Sequence, residues 1–91
     1  MLSTGAALEQ AERYLADTTE GDGSVRVYHE GAFRIDGELI VSWNSKALLD
    51  DGDEEAELAG NADIAVNLAT GRCRYVDLDE SFEFRRRSQG E

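Results

Sequence analysis

The chain has 91 residues, 41% hydrophobic and 32% charged, with 20 acidic side chains against 9 basic ones and a formal net charge of −11 at pH 7. That length supports one core and one domain, residues 1–91, burying about 60–65% of the unfolded surface. The charge excludes nucleic acid as a partner, because binding there needs Lys and Arg to displace counterions, and the single cysteine, Cys73, excludes an intrachain disulfide and a four-thiolate zinc site.

In residues 3–23 the apolar positions Ala7, Leu8, Ala11, Tyr14 and Leu15 recur at steps of three and four, which lines one face of a helix. The spacing predicts a helix near residues 4–18. Ser3 or Thr4 accepts from the free amides of its first turn, Glu9 and Glu12 favour the positive end of its dipole, and Gly21 with Gly23 ends it. From Ser24 the period drops to two: Val25 and Val27 alternate with Arg26 and Tyr28, Phe33 and Ile35 flank Arg34, and Gly31 interrupts in the manner of a bulge. Asp36-Gly37 tolerates the positive φ angles of a tight hairpin turn, so residues 38–45 return antiparallel with Leu39, Val41 and Trp43 on one face.

Residues 45–61 lose the two-residue period and predict short helical turns on a crossover, with Ser45 and Asp53 as caps and Gly60-Asn61 as a left-handed stop. Ile64, Val66 and Leu68 then alternate, Ala69-Thr70-Gly71 forms a hairpin loop, and residues 72–78 supply the return strand. The final segment is either a last strand through Phe82 and Phe84 or a short helix, with fraying beyond Arg87. The order α-β-β-crossover-β-β predicts an α+β fold in which the N-terminal helix packs on one face of an antiparallel sheet of about four strands.

Chemistry is sparse. His29 is the one histidine, and no nucleophile-bearing motif accompanies it, so it reads as a solvated strand residue. Cys73 lies between Arg72 and Arg74; strand alternation sends the arginines to solvent and the thiol toward the core. Asp50, Asp51, Asp53, Glu54, Glu55 and Glu57 place six carboxylates in eight positions, but they lack the alternate acids, sixth-position glycine and terminal glutamate of a helix-loop-helix calcium loop. No metal or cofactor is expected. The run is a solvated loop or a contact surface for a basic partner, and an acidic proteome adapted to salt would give the same charge. Trp43 is a core residue or, if exposed, an interface anchor, with Tyr75 as a second anchor. The run Arg85-Arg86-Arg87 balances nearby acids. The longest strongly apolar run, Leu39-Ile40-Val41, is far short of the roughly 20 residues that span a bilayer. With no basic leader at the start, a cytoplasmic location without membrane contact is expected.

Residues 39–71 carry one further signal. An aromatic strand at Trp43 runs into Asn44-Ser45-Lys46, then Leu49 and Gly52-Asp53, after which Ala59-Gly60-Asn61 leads to the apolar stretch Ile64 to Leu68 and the turn Thr70-Gly71. This arrangement resembles the immunity protein 35 family, or YrhB domain, of bacterial polymorphic toxin systems; Leu39, Leu48 and Asp63 stand where members often show tryptophan, tyrosine and proline. The resemblance implies a small α+β protein encoded near a secreted toxin, which it neutralises inside the producing cell by binding. It transfers no catalytic residue. The partner it implies is a cognate toxin, with a basic surface expected from the charge of this chain; pairing of two copies stays open, and the alternative is a chaperone-like or assembly domain that uses acidity for solubility.

Overall fold

Helix α1 (Thr4–Thr18) opens the fold, and Ser3 supplies its cap, the hydroxyl accepting from the Ala6 amide at 3.1 Å. Thr4, the other candidate, instead accepts from Arg34 Nη2 at 2.6 Å, tying the start of the helix to the first strand. The computed structural model describes residues 1–18, 24–58 and 62–88, so the expected stops at Gly21, Gly23 and Gly60-Asn61 lie outside the described residues. Strands β1 (Val25–Ile35), β2 (Glu38–Ser45), β3 (Ile64–Asn67) and β4 (Cys73–Tyr75) form one antiparallel sheet in chain order.

Turn chemistry sets the register. Asp36 and Gly37 take φ of 52° and 81°, the pair of positive values that a two-residue hairpin turn needs, and Ile35 faces Glu38 across it. The β1–β2 pairing shifts between Tyr28 and Phe33, where the sequence predicts a bulge. A Cβ on Gly31 would lie 2.7 Å from Tyr28 Cδ2, so the missing side chain is what lets the Tyr28 ring lie across the irregularity. Between β2 and β3 the crossover forms α2 (Lys46–Asp51), stopped by Gly52 at φ 71°, and a single 3₁₀ turn at Glu54–Ala56.

Two cores sandwich the sheet. On one face Ala7, Ala11 and Leu15 of α1 pack against Val27, Leu39, Val41, Ile64, Val66 and Leu68. This is the helix-on-sheet layer expected from sequence. The other face is covered as well, by helix α3 (Leu78–Ser88), whose Phe84 packs with Ile40, Ala65 and Val76 and is flanked by Phe33 and Ile35. The last segment is therefore a helix, so its alternative as a strand falls away. Phe82 and Phe84 point about 200° apart on it, which leaves Phe82 62% exposed and Phe84 only 5% exposed. Helices on both sides explain why consecutive residues Leu39, Ile40 and Val41 are all buried. No helix among the described residues is long and apolar enough to cross a membrane.

Candidate functional site

Three consecutive residues at the end of β2 hold the acidic crossover. Trp43 Nε1 donates to the Ala62 carbonyl at 2.8 Å, and Asn44 reaches across to Leu58, donating from Nδ2 to its carbonyl at 3.1 Å and accepting its amide at 2.8 Å. The Ser45 hydroxyl donates to the Ala56 carbonyl at 2.7 Å and accepts the Leu48 amide at 3.1 Å, so it caps α2 and anchors the 3₁₀ turn at once. Asp53 fills the second expected cap, accepting the Glu55 amide at 3.1 Å. These bonds engage backbone groups of Leu48, Glu55, Ala56, Leu58 and Ala62 in an irregular segment and leave its carboxylates to solvent.

All six acids of the run are exposed. Asp50 pairs with Arg26 of β1 at 2.7 Å, and that contact raises the Arg26 guanidinium further above its usual range. Among the described residues, no cation pairs with Asp51, Asp53, Glu54, Glu55 or Glu57. Five carboxylates on one stapled segment give a concentrated negative potential able to steer a cationic partner.

Trp43 and Tyr75 both lie on the α1 face of the sheet and are half-buried. Trp43 packs on the core directly beneath the crossover it staples. Tyr75 is on β4, with its ring centroid 5.1 Å from that of Tyr14 and its hydroxyl bonded to Thr18 Oγ1. It braces the end of α1.

His29 is exposed on β1, with Nε2 3.3 Å from Glu12 Oε2. Cys73 is half-buried against the α1 core, and burial pushes its thiol upward, away from the reactive thiolate. It borders a cleft of about 270 Å³ lined also by Glu38, Asn67, Arg72 and Arg74. Among the described residues no three His, Cys, Asp or Glu side chains are grouped to hold a metal ion.

Sequence reasoning missed the polar contacts that seat α3. Buried Asp63 accepts from the Ser81 hydroxyl and from Arg85 Nη2, the latter at 2.7 Å, while Arg85 also lies 5.9 Å over the Phe33 ring. Arg87 pairs with Asp36 at 2.8 Å and Arg86 with Glu83, so the basic triplet balances acids. Nearer the start of α3, Arg74 of β4 bonds Glu80 at 2.9 Å and Glu38 at 3.0 Å. The Arg74 guanidinium holds the Glu80 carboxyl below the usual glutamate range. A carboxyl depressed in the folded state adds stability above its unfolded value and loses it as pH falls through the folded one. The Glu80→Gln variant is therefore expected to lose less stability than the parent as pH drops below the usual glutamate range, read from urea midpoints across an acid pH series.

The site, then, offers electrostatics and shape. No curated protein and no solved structure matches the chain. The model of the family described as Immunity protein 35 matches residues 5–85, from the first turn of α1 to the last turns of α3, and the chain belongs to that family.

Proposed function

We propose that this chain is a non-catalytic immunity protein that neutralises a cognate toxin domain inside the producing cell by binding it. Family membership carries the reading. The exposed acids Asp50, Asp51, Asp53, Glu54, Glu55 and Glu57, on a segment that Asn44 and Ser45 hold to the end of β2, support a contact with a basic toxin surface. Trp43 and Tyr75 serve this contact from behind, Trp43 by stapling the crossover and Tyr75 by bracing α1 on the sheet.

The test is kinetic. Mixed with the toxin domain encoded by the neighbouring gene, the chain is expected to form a stoichiometric complex whose association rate falls about tenfold or more between about 0.05 and 0.5 M salt. Replacing Asp51, Glu54, Glu55 and Glu57 by their amides is expected to remove most of that salt dependence while leaving the fold intact. Absence of a complex at low salt rejects the reading, and equal suppression of aggregation in unrelated proteins turns it toward a chaperone.

A further inference from the structure

Five large hydrophobic residues are exposed among the described residues: Met1, Tyr28, Leu58, Leu78 and Phe82. Three have local explanations. Met1 is the first residue, Tyr28 lies across the Gly31 bulge, and Leu58 is gripped through its backbone by Asn44. Leu78 and Phe82 have none, for they are 64% and 62% exposed on a helix whose inward side is already filled by Ser81 and Phe84. Four residues apart, they stand side by side on the outer face of α3 and form one apolar ridge. The ridge is rigidly mounted, since Asp63, Arg74 and Asp36 hold α3 along its length, so little conformational freedom is lost when a partner covers it.

The charge around the ridge names its occupant. Asp77 and Asp79 are exposed beside it and pair with no cation among the described residues, while Arg85, Arg86 and Arg87 are each already bonded to a carboxylate, Arg86 to Glu83 of the same helix. We propose that Leu78 and Phe82 form the apolar anchor of the toxin interface, entering a hydrophobic socket rimmed by Lys and Arg on the toxin domain. This rests on the toxin-binding reading above and adds a second contact to it: the crossover steers, and the α3 ridge holds. A second copy of the chain fits poorly, because it would bring a net charge of −11 against its like and set acidic ridge borders against each other.

The experiment titrates the neighbouring gene's toxin domain with the full chain and with the Leu78→Ala/Phe82→Ala variant at about 0.5 M salt, where steering is screened. The variant is expected to bind about 100-fold more weakly, through faster dissociation, whereas the amide variant of the crossover changes association alone. A second variant, Phe82→Lys, places a cation against the basic rim and is expected to weaken binding at least as much, which keeps the result readable if the double variant folds poorly. Parent binding with unchanged affinity in both variants overturns the ridge and leaves toxin binding standing. A parent that binds no toxin overturns both. Sedimentation showing that the parent dimerises alone and the double variant does not reassigns the ridge to self-association and also overturns the proposal.

Discussion

Phe84→Ala is expected to cost about 3–5 kcal/mol, while Phe82→Ala, two residues away, is expected to change stability by no more than about 0.5 kcal/mol. Phe84 is 5% exposed and is the one large side chain that α3 inserts among Ile40, Ala65 and Val76. Truncation removes its transfer free energy and leaves a cavity between a helix and a sheet that are joined by little other apolar surface. A domain of this size holds about 5–14 kcal/mol in total, so the loss is a large share. It corresponds to a fall in melting temperature of about 12 °C or more. Circular dichroism melts of the two variants give the comparison directly. In a terminal strand the two rings would lie on the same side and their truncation would cost similar amounts, so equal effects would contradict the helix.

The same pair explains what the sequence concealed. Spacing of two between Phe82 and Phe84 imitates a strand, and the helix period of α3 is misleading too: its i, i+4 apolar pair, Leu78 and Phe82, faces water, while the polar Ser81 faces inward. Ser81 belongs there only because Asp63 is waiting just before β3, 18 residues away, and local pattern carries no information about such a pairing. By contrast α1 and the meander were legible, because Ala7, Ala11 and Leu15 keep the helical step and Asp36-Gly37 and Thr70-Gly71 mark their turns. One trace of the second layer was present in the chain. Leu39-Ile40-Val41 and Ile64-Ala65-Val66 are unbroken apolar triplets, which a sheet wetted on one side would not need. At the site, the acidic run and its two caps could be read from residue type, since Ser45 and Asp53 act within two or three residues of themselves. The Asn44 clamp on Leu58 and the Trp43 bond to Ala62 depend on where the crossover returns, 14 and 19 residues later.

Asp63→Ala is expected to cost about 2–4 kcal/mol, although Asp63 contributes nothing to the apolar core. Its carboxylate accepts from Ser81 and from Arg85, and its carbonyl accepts the Val76 amide at 2.8 Å, so the residue fastens both the entry to α3 and its middle. Without the side chain, the buried Ser81 hydroxyl loses its acceptor and Arg85 its anion. The Arg85 side chain is 43% exposed and can be rehydrated, which holds the cost below that of a fully buried broken pair. Asp63→Asn keeps an acceptor for Ser81 and is expected to cost less than Asp63→Ala. The decisive measurement is a cycle with Ser81→Ala. Because much of the penalty is an orphaned polar group, the double variant is expected to be no less stable than Asp63→Ala alone, with a coupling of about 0.5–3 kcal/mol by urea unfolding. Simple additivity would mean that the two groups act separately and that α3 is seated by Phe84.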